Sequence, residues 1–207
     1  MNPETRRKIA KILALAVSLA GILVILGWIF NIGFLKSLSS AWISMKFNTA
    51  FVFVLSGLIL YFIVQTGEGK PDVAQVVLPI ASLVILLLMG TLFFGNLLGV
   101  QTGAEELFMR DLSSAPTTVT PGMPSLPTMF NFILIASAAI LTLFNPEKLS
   151  AMLKNIGLIV GWVGVVAVLG YLINIPLLYY FIAGVNNAMA CHTAILFMLL
   201  GAGFLCL

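Results

Sequence analysis

Long apolar runs alternate with shorter polar or mixed segments along this chain, and the runs occupy residues 12–30, 47–64, 76–98, 129–144, 156–173 and 193–207. Several of them approach the ~20 residues that a helix needs to cross a ~30 Å hydrocarbon core, and the last falls short of a full crossing. The pattern predicts an all-α integral membrane fold of six transmembrane helices. The first run follows Arg6, Arg7, Lys8 and Lys11, as in a signal peptide, but it is longer than such a run and lacks a small-x-small cleavage site. It is expected to stay as a helix.

The connections come in two kinds. Gly67, Gly69 and Pro71 punctuate one short turn, and Asn145 and Pro146 another. Residues 33–46, 104–112 and 176–190 mix apolar and polar positions, which predicts short interfacial helices on the extracytoplasmic side. Residues 113–127, rich in Ser, Thr and Pro, read as an irregular loop there. Seven basic residues (Arg6, Arg7, Lys8, Lys11, Lys70, Lys148 and Lys154) flank one set of helix ends, against Lys36, Lys46 and Arg110 on the other. By the positive-inside bias, both termini and the two short turns are cytoplasmic.

An internal repeat emerges when Thr49, Thr128 and Thr193 are aligned. Four residues on stand Phe53, Phe132 and Phe197, then Leu55, Leu134 and Leu199, then the small residues Gly57, Ala136 and Gly201. Upstream, Gly27, Gly90 and Gly170 lead to Asn31, Asn96 and Asn174, with Gly-to-Thr spacings of 22, 38 and 23. The fold is therefore expected to be three tandem helical hairpins, residues 9–65, 73–145 and 154–207, around a pseudo-threefold axis along the membrane normal. A threonine can cap the first turn, and the small residue two turns below lets another helix approach.

Composition agrees: 61% of the 207 residues are hydrophobic and 8% charged, with a mean hydropathy of +1.15. A net charge of +3 does not point to nucleic acid, because the basic residues neither cluster nor alternate with aromatics. Cys191 and Cys206 lack CxxC spacing and read as buried apolar side chains. With His192 as the single histidine, neither a metal site nor a cofactor is expected. No nucleophile elbow or phosphate-cradling loop is present, so the segment itself is not expected to be an enzyme.

Glu105 and Glu106 precede Arg110 and Asp111; adjacent carboxylates on a helix do not face one another, and Glu106 with Arg110 reads as a solvated pair one turn apart. No Asp, Glu, Lys or Arg lies at mid-span, where ion or proton pathways place them. Gly157, Gly161 and Gly164 form a small-residue face for helix packing.

The repeat itself defines a candidate site. Equivalent helices present a hydroxyl and, one turn deeper, an aromatic ring, so Thr49, Phe53, Thr128, Phe132, Thr193 and Phe197 are expected to bound a site for a membrane lipid or small apolar ligand in the outer half of the bundle. His192 joins them either as a protonation switch or ligand contact at the outer mouth, or as the residue before Thr193 in the place held by Asn48 and Pro127.

The phrases Met45-Lys46-Phe47-Asn48-Thr49-Ala50 with Leu55-Ser56-Gly57-Leu58, and Cys191-His192-Thr193-Ala194 with Leu199-Leu200-Gly201, resemble the MASE-like integral membrane sensor domains of prokaryotic histidine kinases and diguanylate cyclases. The middle unit departs from it, with Pro127-Thr128-Met129. The resemblance implies a single sensory input domain, residues 1–207, in a prokaryotic plasma membrane. It would perceive an apolar ligand or membrane state and act as a homodimer on a cytoplasmic kinase or cyclase output domain in the same chain. Residues 193–207 end without a basic anchor or polar tail, which is expected of a helix that continues. A carrier-like transporter and a non-signalling lipid-binding subunit are the alternatives. The Pro-x-acid-x-x-base signature of mitochondrial carriers is missing near Asn31, Asn96 and Asn174.

Overall fold

The computed structural model describes residues 2–39, 42–69, 72–111, 118–144 and 149–207. Lys70, Pro71, Asn145, Pro146 and Lys148, together with residues 112–117 of the segments expected to form an outer helix and loop, lie outside them. The described chain folds into α1 (Pro3–Ile29), α2 (Gly33–Lys36), α3 (Phe47–Gly67), α4 (Ala74–Leu98), α5 (Leu126–Phe144), α6 (Leu149–Leu172) and α7 (Cys191–Leu205), with 3-10 turns at Ala104–Glu106 and Pro176–Tyr179. Five of these helices, α1, α3, α4, α5 and α6, are long and apolar enough to cross a membrane. The sixth expected span is α7, whose 15 residues reach about 22 Å.

Helix α1 begins well before its apolar run. The Asn2 side chain accepts the Glu4 N–H at 3.3 Å, Pro3 occupies the first helical position, and Glu4 lies in the first turn. All three features favour a helix start. The basic residues Arg6 to Lys11 therefore ride on the helix instead of preceding it. Farther along, α1 buries Ala10, Ala14, Val17, Gly21 and Val24 at alternating spacings of four and three, and leaves Ile12, Leu15, Leu19 and Leu23 more than half exposed. Small residues inward and large apolar residues outward reverse the soluble pattern and suit a lipid surround.

Close approach depends on the small residues predicted from the repeat. A Cβ on Gly57 would fall 2.1 Å from Ser18 Oγ of α1, and one on Gly201 would fall 2.5 Å from Gly161 Cα of α6. In the same way Gly157 and Gly164 seat α6 on α7.

The ends of α1, α4 and α6 share one bonding pattern. Ile32 N–H donates to Gly27 C=O at 2.8 Å, Val100 to Gly95 at 2.9 Å and Ile175 to Gly170 at 2.9 Å. The residue before each donor is left-handed: Asn31 (φ 54°), Gly99 (φ 66°) and Asn174 (φ 56°). These are Schellman ends, in which asparagine or glycine tolerates the positive φ. The middle helix therefore turns at Gly95 and Gly99, not at the expected Gly90 and Asn96. A Cβ at Gly90 would meet nothing within 4 Å, whereas one at Gly95 would fall 2.6 Å from Thr102 Cγ2.

The outer segments hold less helix than expected, one turn each at Gly33–Lys36, Ala104–Glu106 and Pro176–Tyr179. Polar side chains there take over backbone groups and favour turns. Ser37 Oγ donates to Ser39 C=O at 2.7 Å, and the Asn186 amide bonds both Ile182 N–H and Tyr180 C=O at 2.8 Å.

Helix α1 packs chiefly on α3, α4 on α5, and α6 on α7. In addition α4 touches α3, α6 touches α5, and α1 touches α7, so the outer helices close a circle around α3, α5 and α7.

Candidate functional site

Where α3, α5 and α7 meet, equivalent side chains lie in layers. Phe53, Phe132 and Phe197 are fully buried, and their ring centroids form a nearly equilateral triangle of 4.8, 4.9 and 5.0 Å. The contacts are edge-on or tilted, the arrangement that aromatic quadrupoles prefer. One turn nearer the outer segments lie Thr49, Thr128 and Thr193, each 2% exposed. Above them stand Met45, Met123 and Met189, also buried.

Six of the seven residues singled out from the repeat are thus brought together at one place. The space between them is small. A void of about 10 Å³, lined by the three threonines, the three methionines and Lys46 among others, remains at the threonine level. That is about enough for one water. The volume expected for a lipid is taken up by the phenylalanine rings themselves, which pack against one another.

His192, the seventh, is half-buried and stands off this axis. Both ring nitrogens are buried without a well-formed hydrogen bond, and the Lys36 backbone is a polar group near them. Its counterpart Asn48 instead donates to Ala104 C=O and Glu105 C=O, both at 2.9 Å, tying α3 to the next outer segment.

The outer rim is sewn together by polar groups distant in sequence. The amide of Asn187 accepts from Val119 N–H at 2.5 Å and Thr120 N–H at 2.9 Å, and donates to Thr120 C=O and Met123 C=O at 2.6 Å each. Trp28 Nε1–H donates to Met45 C=O at 2.8 Å, and Tyr171 O–H to Met189 C=O at 2.7 Å. Each methionine of the outer layer therefore has its carbonyl held by a side chain. The spacing of these methionines from their threonines, four, five and four residues, was the available sequence signal.

Lys46 and Asp111 form an ion pair at 2.5 Å with side chains 4% and 1% exposed. Burial pushes the Lys46 pKa below its ordinary 10.5, and the Asp111 carboxylate pulls it part of the way back. Glu105 is buried rather than solvated. Burial pushes its pKa up, but hydrogen bonds to Thr102 outweigh this and hold the carboxyl below its usual value. Glu106 accepts from the Asp111 N–H at 3.0 Å, and the expected helical pairing with Arg110 has no helix beyond Glu106 to support it. Among the described residues, no three His, Cys, Asp or Glu side chains gather as metal ligands.

Long apolar helices with outward leucines and a sealed aromatic centre define a multi-pass helical membrane protein. Comparison with protein-family models, with curated proteins and with solved structures finds no match, so the likeness to sensor domains rests on the sequence phrases alone.

Proposed function

We propose that this chain is the membrane-embedded sensory input domain of a prokaryotic signalling protein, built as six spans in three tandem two-helix units. The units are α1 with α3, α4 with α5, and α6 with α7; α7 is the sixth span and both ends face the cytoplasm. The observation that carries the proposal is the closed circle of helices around Phe53, Phe132 and Phe197. Charged residues inside the spans mark ion and proton pathways. Here the ion pairs Lys46–Asp111 and Lys11–Glu68 sit at opposite ends, with the aromatic layer between them.

A packed core of this kind switches between discrete arrangements more readily than it deforms gradually. A lipid-like or apolar ligand, or a membrane state, would favour one packing of the phenylalanine layer over another. A difference of ~1.4 kcal/mol changes the ratio of two states tenfold. Helix α7 supplies Thr193 and Phe197 to the layers and carries the change to a kinase or cyclase output domain, in a homodimer, as the resemblance implies.

The test is the output of the full-length protein in native membranes. Phe132→Trp overfills the layer and should shift basal phosphorylation or cyclase activity several-fold at equal expression. Unchanged output, or a native gene that stops at Leu207 without an associated output protein, overturns the proposal.

A further inference from the structure

At the end of the bundle opposite the threonine layer, α1, α3, α5, α6 and the residues Cys206 and Leu207 just after α7 leave a half-open cavity of about 390 Å³. Arg6 and Arg7 of α1 border it, and Ile63 and Val64 of α3, Thr142 of α5 and Leu153 of α6 line its walls. Arg6 gives one N–H to Leu205 C=O at 2.9 Å and keeps other donors. Arg7 is exposed and makes no ion pair among the described residues. Two carboxylates of the described residues at this end are engaged elsewhere, Glu4 with Lys8 at 3.0 Å and Glu68 with Lys11 at 2.6 Å. Among the described residues, no acidic side chain lines the cavity.

We propose that this cavity binds an anionic phospholipid, with the phosphate against Arg6 and Arg7 and the upper acyl chain against Ile63, Val64 and Leu153. The proposal rests on the chain being embedded in a membrane, but on no signalling role. Guanidinium groups present paired donors that fit phosphate oxygens. A water occupies about 30 Å³ in the liquid, so the space is severalfold larger than a simple inorganic anion needs. Its apolar walls favour a chain over further solvent. This end also carries most of the basic residues, and anionic headgroups draw such residues to a membrane surface. The lipid site thus lies at the basic end of the axis, where space exists, and not among the close-packed phenylalanines.

The test is retention by the purified chain in zwitterionic detergent, read by native mass spectrometry, with phosphatidylglycerol and phosphatidylcholine of identical chains offered as probes. Inorganic phosphate is compared with them by thermal stabilisation. Phosphatidylglycerol should be retained in about tenfold preference over phosphatidylcholine. Arg7→Gln, at an exposed position that should not affect folding, should cut that preference about fivefold. Leu153→Trp should displace the lipid while leaving both arginines in place. Equal retention of the two lipids, or an undiminished preference in both variants, overturns the proposal. Stabilisation by phosphate equal to that by the lipid also overturns it, in favour of a bare anion site. Retention needs no output domain, so this result and the signalling result can fail independently.

Discussion

Asn31 and Asn174 hold the same left-handed backbone, φ 54° and φ 56°, at the ends of α1 and α6. Each stands four residues after a glycine whose carbonyl accepts the next N–H, and each is followed by an isoleucine. Gly99 takes the same conformation at the end of α4. Asn174→Gly should leave stability within a few tenths of a kcal/mol. Asn174→Val should cost about 1–2 kcal/mol, because a β-branched residue tolerates positive φ poorly. Thermal unfolding in detergent, followed by tryptophan fluorescence, measures both; equal melting of the two variants would argue against the strained-cap account.

The phenylalanine triangle makes a different prediction. Phe132→Ala removes a fully buried ring from between Phe53 and Phe197. In soluble cores such a change costs about 3–5 kcal/mol. The loss here should lie below that range, since the reference state in lipid recovers no hydrophobic transfer energy. The variant should fold and keep an apolar cavity that takes up xenon or benzene. Failure to bind either, with stability unchanged, would mean that the layer collapses freely.

How much of this arrangement could be read from sequence depended on how local its cause is. The Thr, Phe, Leu and small-residue offsets were legible because three inner helices meeting at one level need the same shapes at the same heights. Gly95 was missed because Met89-Gly90-Thr91 lies nearer the helix middle and looks like its counterparts. The deciding signal, a residue able to adopt αL four positions after the glycine, points to Gly99 instead. The rim was not legible. Lys46 meets Asp111 across 65 residues, and Asn187 meets Thr120 across 67. Neither partner marks the other in the chain. In the sequence Arg6 and Arg7 register only as topology signals, since the cavity beside them is assembled from four helices and the residues that follow α7.

The buried ion pair gives a pH-dependent stability. The Lys46 pKa is depressed in the folded protein, so the unfolded chain binds more protons between that lowered value and 10.5. Stability from this group should therefore rise with pH across that window. Lys46→Met should flatten the slope. Asp111→Asn should cost about 3–5 kcal/mol by leaving an ammonium buried without its partner. A Lys46→Met/Asp111→Leu double variant should recover most of that loss. A double variant as unstable as Asp111→Asn would show that the pair is worth more than its separate parts.

Sidedness can be tested with single cysteines after Cys191 and Cys206 are replaced by serine. Val119, 40% exposed, and Val73, 57% exposed, lie on opposite sides of the proposed topology. Val119→Cys should react with an impermeant maleimide added outside intact cells, and Val73→Cys only after lysis. The reverse pattern would invert the domain, and labelling of both from one side would remove a span.

His192 stands in the third unit where Asn48 stands in the first, but without Asn48's bonds. Asn48 clasps the next outer segment through Ala104 C=O and Glu105 C=O. By the circular order of the units, His192 faces the outer segment of the first unit, near the Lys36 backbone, with both ring nitrogens buried and poorly bonded. An unmet buried polar group costs about 1–3 kcal/mol, and a neutral hydrogen bond returns about 1 kcal/mol. His192→Asn should therefore stabilise the chain by about 1 kcal/mol, or roughly 2–4 °C for a chain of this length. His192→Leu separates the explanations. If the imidazole serves only to fill space, leucine should match the wild type and asparagine should lose stability through the smaller volume. If the site is built to clasp, asparagine should gain and leucine should not. Equal melting of His192→Asn and the wild type would mean that the asparagine amide finds no clasp on the first unit's segment.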